Sequence, residues 1–580
     1  NKPNYGKWRN RLCILADDGD GSDHLDQAQD VYANLRSTQD GKKAKYERIY
    51  LDSYKLQYTG TGAEYTDART RFYNLLDEGI NYLIYIGHGN TRGWGHEKMM
   101  TWTDLTSLTN VNLPVINAAT CDFGKWDDTS VSGAEVMWLN NNGGAIAFIG
   151  TNRKVWVSEN GVLLGVMAKR TFQRNEQGAQ KRLGDFFIEG KNDYPRANDN
   201  KLRYTIIGDP AIRVPFPALD VNIDEIAGET PENTDDMPIV KARQKFVVKG
   251  SITDAEGNPV PDFNGAAEVT LMDAEVVVET LGQNDSEVRM YNDHKTQLYS
   301  GKTIVTDGKF ELTVTMPSEV DNNFTPALIN TYAIADDGRE AGGSFSQFYV
   351  YGYDDDAEED NEGPVIESFA LNTPNFEQGG VTHDTPLVLA TLADPSGINL
   401  SEGGIGHKLS LVLDEKTVYD NLVTAFVPDA NDYTRGKLAY VMPSIEPGDH
   451  TLRLTAWDNA NNSSSATIIF KVAANRAPTL YDVTTTSSAP TSSVTFILSH
   501  DRPSTMLATT IDVYDLNGRK VWSKTQNGSS GIESNIEMTW DLTDISGERV
   551  PRGIYIYKAT VTTKEGTTAS KSKKLAVAAP

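Results

Sequence analysis

Short apolar runs and amphipathic segments alternate over residues 1–218. The apolar runs predict five β-strands, at Arg11–Ala16, Tyr46–Leu51, Tyr82–Gly87, Pro114–Ala119 and Gly144–Ile149. Apolar residues at helical spacing predict helices over Asp23–Leu35, with Ser22 as N-cap, and over Thr66–Glu78. Strands that alternate with helices are typical of a parallel sheet with crossover helices, so we expect an α/β domain here.

The pattern changes after Pro217 to short strands in which apolar and polar residues alternate with period two. Such strands are predicted at Lys245–Asp254, Lys309–Met316, Thr331–Ala335, Leu387–Leu392, Leu409–Leu413 and Thr451–Trp457. The acidic stretch 354–362 reads as a solvated linker between two groups of strands. We therefore expect one β-sandwich over 219–362 and a second, Ig-like sandwich over 363–475.

The last segment, residues 476–580, has a Ser/Thr-rich start and a further compact set of strands. The pair Asn517-Gly518 lies between two strand-like runs, Ile511–Leu516 and Arg519–Ser523. An Asn-Gly pair between such runs predicts a tight hairpin. This segment is a third expected β domain, which makes four domains in all.

Composition narrows the classes of function. A formal net charge of −26 and a sequence pI of about 4.8 argue against nucleic acid as a partner. No apolar run approaches the ~18 residues of a membrane-spanning helix. Two cysteines are too few for a disulfide framework, and they are compatible with a location at the cell surface or in the periplasm. The sequence starts at Asn1 without a Met or an apolar signal segment, as expected of a processed chain or a fragment.

Two reactive residue types stand at the ends of neighbouring predicted strands. His88 directly follows the strand that ends at Gly87, and Cys121 follows the strand that ends at Ala119. Catalytic groups of open parallel sheets collect at the carboxyl ends of the strands, so this thiol and imidazole are predicted to meet. A neighbouring imidazole raises the thiolate fraction and later protonates the leaving amine. The backbone N–H groups of Gly89 and Cys121 are the predicted oxyanion donors.

These residue types also have structural roles. A single Cys is often a small core residue, which is the preferred interpretation of Cys13 inside the first strand, and a single His is often a surface or core residue. A metal site at His88, His96 and Glu97 lacks the spacing of ligands on one helical face, so no metal ligand is assigned. The acidic loop Asp17–Asp23 either binds a structural Ca²⁺ or is simply solvated, because the EF-hand spacing is absent.

The segment Leu12–Val214 resembles the gingipain-like cysteine peptidases, which have a caspase-like fold. The matching pieces are Leu12-Cys13-Ile14, Gly87-His88-Gly89, Ala119-Thr120-Cys121 with Phe123, Ala145 to Gly150, and Gly208-Asp209-Pro210-Ala211. The caspase signature Q-A-C-x-G is absent around Cys121, so the likeness is to the bacterial branch.

The last segment resembles the C-terminal sorting domains of the type IX secretion system of Bacteroidetes. The matching residues are Phe496, 513–519, Trp540-Asp541, Gly547 and 551–555. The resemblance implies export across the outer membrane, retention at the cell surface, and a family N-terminal portion that is missing from this sequence.

The resemblance also implies roles for residues of the α/β domain. The catalytic Cys and His fall on Cys121 and His88, and the auxiliary acid falls on Asp18, where the family has Glu, with Asp17 as its substitute. The acidic residue of the Arg-specific substrate pocket falls on Asp23, and an aromatic wall of that pocket falls on Trp156. The loop is shorter than in the family, so Arg specificity does not follow, and Asp23 is alternatively a residue of its helix start.

The function implied is a sortase-type cysteine endopeptidase and transpeptidase. It would cleave sorting domains from secreted cargo through a thioester and pass the cargo to an amine of a surface glycolipid, an anionic lipopolysaccharide, beside an outer-membrane β-barrel partner. Trp94, Trp126 and Trp156 are predicted to shield the thioester, with core packing as the alternative. The alternative functions are a secreted gingipain-type endopeptidase and a non-catalytic β-sandwich scaffold.

Overall fold

The computed structural model describes residues 4–60, 62–195, 198–231, 237–401, 406–420, 422–529, 531–532 and 534–579. The chain divides into two compact units, Asn1–Ala357 and Glu358–Pro580. In the described part of the chain no helix is both long and apolar enough to cross a membrane.

The first unit begins with an α/β domain. Its strands are β1 Arg11–Ala16, β2 Lys45–Tyr50, β3 Gln57–Thr59, β4 Gly62–Glu64, β5 Tyr82–Ile86, β6 Gly89–Asn90, β7 Gly93–Trp94, β8 Val115–Ala119, β9 Ala147–Thr151 and β10 Tyr204–Ile207. Its helices are α1 Asp23–Arg36, α2 Thr66–Glu78, α3 Trp102–Ser107, α4 Gly133–Leu139, α5 Val157–Thr171, α6 Leu183–Asp193 and α7 Asp199–Arg203.

The central sheet has six strands in the order β10-β9-β8-β5-β1-β2. The five strands β9, β8, β5, β1 and β2 are parallel to one another, whereas the edge strand β10 pairs antiparallel with β9. The sheet is thus mixed, which corrects the expectation of a purely parallel sheet. The four residues of β10 are too few to produce a period in the sequence.

Four of the five predicted strands begin and end within one residue of the observed ones, and the fifth is displaced. Residues 144–149 were expected as a strand, but β9 begins at Ala147. Gly144 has a φ of 99°, and a Cβ there would lie 2.1 Å from the carbonyl oxygen of Met137. Gly144 therefore belongs to the turn after α4, and the strand starts beyond it.

Helices cover both faces of the sheet. Side chains of α1, α5 and α6 pack on one face, and those of α2, α3 and α4 pack on the other. Within β1 the side chains alternate between the two layers, so Leu12 and Ile14 face the first group while Cys13 and Leu15 face the second. Burial on both faces explains why these strands read as continuous apolar runs.

The rest of the first unit consists of β-strands. These are β11 Leu219–Ile226, β12 Ile239–Ala242, β13 Lys245–Thr253, β14 Gly265–Met272, β15 Val276–Glu279, β16 Met290–Asp293, β17 Gln297–Val305, β18 Lys309–Thr315, β19 Leu328–Ala335, β20 Glu340–Phe345 and β21 Tyr349–Tyr353. Two antiparallel sets, β17-β14-β19-β20 and β11-β13-β18, are joined by a short parallel pairing at residues 219–220. The strands β15 and β16 form a separate ribbon whose loop, residues 280–289, reaches the α/β domain.

The second unit contains two pairs of sheets. The first pair holds β22 Val365–Leu371, β23 Gly380–Thr382, β24 Leu387–Ala393, β25 Ser410–Leu413, β26 Thr417–Tyr419, β27 Phe426–Asp429, β28 Asp432–Val441, β29 Gly448–Trp457 and β30 Ser463–Val472. The second pair holds β31 Leu480–Thr485, β32 Val494–His500, β33 Met506–Tyr514, β34 Lys520–Ser529, β35 Asn535–Trp540, β36 Gly553–Thr562 and β37 Thr568–Val577. Each pair encloses its own apolar core.

The predicted hairpin in the last segment is present between β33 and β34. Gly518 has a φ of 82°, and its N–H donates to the carbonyl oxygen of Asp515 at 3.0 Å. Glycine adopts this left-handed backbone without the steric cost of a Cβ, which is why the Asn-Gly pair was informative.

Candidate active site

The strands that carry His88 and Cys121 are direct neighbours in the sheet. Strands β5 and β8 pair in parallel, with Ile86 opposite Ala119. The N–H of Gly87 donates to the carbonyl oxygen of Ala119 at 3.3 Å, so the pairing extends past the last strand residue. His88 and Cys121 each stand two residues beyond that matched pair, and neighbouring strands lie only ~4.8 Å apart. The imidazole and the thiol therefore emerge side by side at the carboxyl edge of the sheet.

A sharp turn presents Cys121 to solvent. The residue after it, Asp122, has a φ of 59°, which is left-handed backbone, and Phe123 is fully buried in the core. Cys121 itself is partly exposed. The N–H of Val155 points at its Sγ at 3.4 Å, and the thiol in turn reaches the Val155 carbonyl oxygen at 3.7 Å. The sheet and the loop after β9 thus hold the sulfur in one place.

Gly89 lies against the residue that precedes the thiol. A Cβ at Gly89 would lie 2.3 Å from Oγ1 of Thr120, so no larger residue fits without movement. This close approach brings the backbone of Gly89 next to the turn that carries Cys121, as a predicted oxyanion donor requires.

The carboxylate in contact with the His88 imidazole belongs to Asp20. Oδ2 of Asp20 lies 3.1 Å from Nε2 of His88, and both side chains are about a third or more exposed, at 41% and 34%. The ring of His96 stacks on His88 with 4.7 Å between centroids, and the ring of His24 meets it edge-on at 5.2 Å. Asp20 is thereby the side chain placed to orient the imidazole.

Asp18, the acid suggested by family resemblance, has other partners in the structure. Its Oδ2 accepts hydrogen bonds from the hydroxyl of Tyr65 at 2.8 Å and from Nδ2 of Asn284 at 2.9 Å. The acidic loop turns back on itself at Asp20, whose φ is 49°. That turn directs the Asp20 carboxylate, rather than the Asp18 carboxylate, toward the His88 ring.

Asp17 supports the backbone of the imidazole-bearing residue. Its Oδ2 accepts from the N–H of His88 at 2.8 Å and from the hydroxyl of Tyr85 at 3.2 Å. Burial raises the pKa of Asp17 well above its usual value, and the neighbouring charge of Asp18 adds to that rise. Burial, together with the charge of Asp18, also raises the pKa of Glu97.

His24 is a further group near the imidazole that the sequence analysis did not single out. It is 3% exposed, and its Nε2 lies 3.4 Å from Oδ2 of Asp20. Burial, and after it the nearby His88, lowers the pKa of His24 to about 4. The available signal was a histidine in the first turn of the predicted helix, directly after the acidic loop.

The loop between β15 and β16, residues 280–289, braces the acidic loop. Nδ2 of Asn284 donates both to Asp18 and to Oε1 of Glu97, at 2.9 and 2.7 Å. The hydroxyl of Ser286 accepts from the N–H of Gly19 at 2.8 Å. No local sequence pattern predicts this contact, since Asn284 lies 266 positions from Asp18 and belongs to another run of strands.

The same bracing loop changes the start of α1. Ser22 is the N-cap residue as predicted, but it has a φ of 77° and its side chain makes no cap hydrogen bond. Its hydroxyl instead donates to the carbonyl oxygen of Glu287 at 2.7 Å and accepts from the Glu287 N–H at 2.9 Å. The helix boundary was predicted correctly, whereas the role of the hydroxyl depends on a tertiary contact.

The two residues suggested for substrate binding are both at the surface. Asp23 is exposed in the first turn of α1, and Trp156 is 71% exposed directly after Val155, which touches Cys121. Trp126 is 57% exposed on the turn after Cys121. Trp94, by contrast, is fully buried and stacks on Tyr85 at 4.5 Å, so core packing is its role.

One protein-family model matches the N-terminal part of the chain. Residues 1–215 match the family model described as Peptidase family C25. The N-terminal domain is a cysteine-peptidase domain. The C25 match contains His88, Cys121 and Asp20, and it ends before β11.

Several solved structures are similar to the chain. A crystal structure of dimeric latent PorU from Porphyromonas gingivalis is 20% identical, with 98% of this chain and 65% of that chain covered and a TM-score of 0.34. The Arg-specific cysteine proteinase gingipain R is 18% identical, with 59% and 68% covered and a TM-score of 0.31. The chain thus spans about two thirds of the length of these structures. No curated protein matches the chain.

Proposed function

We propose that the chain is a cysteine endopeptidase of sortase type, with Cys121 as nucleophile and His88 as general base. The observation that carries the peptidase part is the register of β5 and β8, which sets the two residues equally far past one matched pair at the edge of the sheet. Asp20 serves as the orienting carboxylate, in place of the Asp18 that family resemblance suggested, because it contacts Nε2 of His88.

The chemistry follows from these positions. With Nε2 of His88 held on Asp20, the other ring nitrogen is left to accept the thiol proton of Cys121. The thiolate attacks the scissile carbonyl, and the backbone N–H groups of Gly89 and Cys121 stabilise the oxyanion, each such donor being worth ~3 kcal/mol. His88 then gives the proton to the leaving amine, and a thioester on Cys121 remains.

The exposed indoles of Trp126 and Trp156, which follow Cys121 and its neighbour Val155 along the chain, offer apolar surface for a substrate. Asp23 offers a negative charge at the start of α1 for a basic substrate side chain. A shielded thioester favours an incoming amine over water, which is what a transferase needs.

For the whole protein we propose a sortase that acts at the outer surface of the outer membrane. Its substrates would be secreted proteins with C-terminal sorting domains, and its acyl acceptor an amine of an anionic lipopolysaccharide. The three β regions would be Ig-like domains, the last of them a type IX sorting-type domain that docks on an outer-membrane β-barrel partner. Sequence resemblance in the α/β domain and in residues 496–555 supports this proposal. Deleting the chain from Pro478 onward should then release the protein from the cell surface.

A structural Ca²⁺ near the acidic loop also belongs to the proposal. Oxygen atoms of Asp17, Asp18 and Glu97 lie within 4.8 Å of one another, and Oδ1 of Asp17 is buried without a hydrogen-bond partner among the described residues. Carboxylate oxygens are the ligands that Ca²⁺ prefers, so these residues fit the ion. Their role would be to hold the acidic loop, and with it Asp20, in position.

The test of transfer against hydrolysis uses a cargo-like peptide and added amines. A site built for transfer should give both an amine adduct and the free acid, and the adduct fraction should rise and saturate with amine concentration, because a bound amine is held in near-attack geometry. Mass spectrometry of the products distinguishes the two. Free acid alone, across amino sugars and glycine derivatives, would leave the secreted gingipain-type endopeptidase as the function. No product at all from the intact chain would favour the non-catalytic scaffold.

A further inference from the structure

A buried histidine beside the active site has no hydrogen-bond partner. His24 is 3% exposed at the start of α1, and neither of its ring nitrogens has a partner among the residues that the structure describes. A buried polar atom without a hydrogen-bond partner destabilises the fold, so a ligand that satisfies it is favoured. The Nε2 atom of His24 faces Asp20, whose other neighbour is the His88 ring.

The three side chains have the spacing of metal ligands. One ligand atom each from Asp20, His24 and His88 lies within 4.8 Å of the other two. Oδ2 of Asp20 is 3.4 Å from Nε2 of His24 and 3.1 Å from Nε2 of His88. Two ligands of a tetrahedral Zn²⁺, each at ~2.0–2.1 Å from the metal, stand ~3.3 Å apart. Both distances from Asp20 agree with this separation between two ligand atoms.

The donor set and the access suit the same ion. Two imidazole nitrogens and one carboxylate oxygen are a common Zn²⁺ ligand set, and the fourth position is filled by water or by a thiolate. His88 and Asp20 are 34% and 41% exposed, so an ion can enter from solvent. Cys121 is not part of this cluster, so water takes the fourth position here.

We propose that Asp20, His24 and His88 form a reversible Zn²⁺ site that inhibits the peptidase. This inference rests on the proposed function of His88. A neutral imidazole has one lone pair in the plane of the ring, and Zn²⁺ takes it at Nε2 while the other nitrogen keeps its proton. His88 with Zn²⁺ bound therefore has no nitrogen that can accept the thiol proton of Cys121. Release of the ion restores the base.

His24 is what distinguishes this site from a metal held by the catalytic pair alone. Without His24, Zn²⁺ would have only two protein ligands, either Asp20 and His88 or His88 and Cys121. His24 supplies a third ligand from a rigid helix and takes no part in the proposed chemistry. Substituting it separates metal binding from catalysis.

The experiment titrates the full-length protein, freed of metal by a chelator, with Zn²⁺ while peptide cleavage is followed. In His24→Phe, where a ring of similar size lacks nitrogen, the half-inhibitory Zn²⁺ concentration should rise by ~100-fold or more, as the loss of a ligand exceeds the 10–100-fold effect of supporting residues. His96→Phe is the matched control, since His96 stacks on His88 but lies outside the cluster, and its inhibition by Zn²⁺ should match that of the unchanged protein.

A second measurement does not depend on activity. Co²⁺ replaces Zn²⁺ with a strong visible absorption when it is tetrahedral, and this signal should appear in the unchanged protein and in His96→Phe but not in His24→Phe. His24→Gln, with circular dichroism on every variant, covers the case in which the phenylalanine variant fails to fold. Equal Zn²⁺ inhibition in His24→Phe and the unchanged protein, or no tetrahedral Co²⁺ signal, would overturn the proposed site. A Co²⁺ signal in a protein that cleaves no peptide would count against the proposed function and leave the metal site standing.

Discussion

The two cysteines of the chain differ in ways that their places in the sheet explain. Cys13 is fully buried within β1, and burial raises the pKa of its thiol far above the usual range. Cys121 lies past the end of β8, on a turn and partly exposed. Thiolates, not thiols, react with electrophiles, so the two should differ strongly in reactivity.

We expect iodoacetamide to modify Cys121 and to leave Cys13 unmodified in the folded protein. Cys121→Ala should lose peptide cleavage by many orders of magnitude with little change in folding, because the nucleophile is removed from an exposed turn. Mass spectrometry locates the label, and Cys13→Ala is the control that should keep both the label and the activity. Full cleavage by Cys121→Ala would end the cysteine-peptidase assignment of this residue.

The contacts of Asp20 and Asp18 lead to different predictions for their variants. Asp20→Asn should lower kcat about 10- to 100-fold with KM nearly unchanged, since a neutral amide orients the imidazole less firmly than a carboxylate. The loss should stay below the ~10⁴-fold of a buried triad aspartate, because the Asp20–His88 pair is partly exposed. Steady-state kinetics of Asp20→Asn and of Asp18→Asn measure the two losses of kcat.

Asp18→Asn is the matched comparison for that experiment. The amide keeps an acceptor for Tyr65 and removes a charge beside Glu97, so in protein freed of Ca²⁺ by a chelator kcat should change by no more than about threefold while stability is retained or increased. A larger loss of kcat in Asp18→Asn than in Asp20→Asn would show that Asp18 orients His88 after all.

At the scale of elements, the bracing loop 280–289 joins the β-strand region to the active site. The acidic loop contains two non-glycine residues with left-handed backbone, Asp20 and Ser22, at 49° and 77°. Such conformations persist when surrounding contacts hold them. The hydrogen bonds of Asn284, Ser286 and Glu287 supply those contacts.

The prediction is that Asn284→Ala lowers kcat/KM several-fold without unfolding the protein. The change leaves two buried carboxyl groups, Asp18 and Glu97, without their amide donor, which costs ~1–3 kcal/mol locally. Hydrogen exchange should show faster opening of residues 17–22. Asn258→Ala is the control, because Asn258 makes a similar hydrogen bond to Asp254 in an exposed turn of the same strand region. Identical exchange in both variants would argue against a bracing role.

At the scale of the whole molecule, buried histidines of the second unit connect stability to pH. His383 and His500 are 2% and 1% exposed, and burial lowers the pKa of each to about 4. Asp501 opposes this shift at both residues, while Arg502 strengthens it. Both histidines are therefore neutral in the folded unit at pH values where the unfolded chain takes up protons.

Stability of the second unit should fall as the pH drops from 7 to 5. The unfolded histidine binds a proton below ~6.5, whereas the folded one does so only near 4, so each residue costs about 2 kcal/mol at pH 5. In His500→Asn this loss should shrink by roughly 1–2 kcal/mol, because asparagine does not take up a proton between pH 7 and 5. The Asn oxygen can accept the N–H of Arg502 as Nδ1 of His500 does, so the hydrogen bond is kept. Denaturant unfolding of the full chain at both pH values measures it. An unchanged pH slope in the variant would contradict the assignment to His500.

Local patterns in the sequence were sufficient for the features that depend on neighbouring residues. The limits of α2, four of the five predicted sheet strands and the Asn517-Gly518 hairpin follow from apolar periodicity and turn chemistry, which act over a few residues. The placement of His88 and Cys121 also followed, because strand order alone brings the ends of β5 and β8 together. The antiparallel β10 was missed because it is short and its direction depends on the path of the preceding helices.

Only the tertiary structure decided which acid meets the imidazole. Asp17, Asp18 and Asp20 are chemically equivalent in the sequence, and their roles are set by backbone turns that contacts from residues 284–287 maintain. The same backbone turns bring the Asp20 carboxylate close to both His24 and His88. The apolar periodicity of the sequence indicates which residues are buried. The direction of a carboxylate in a loop instead depends on contacts with residues more than 260 positions away.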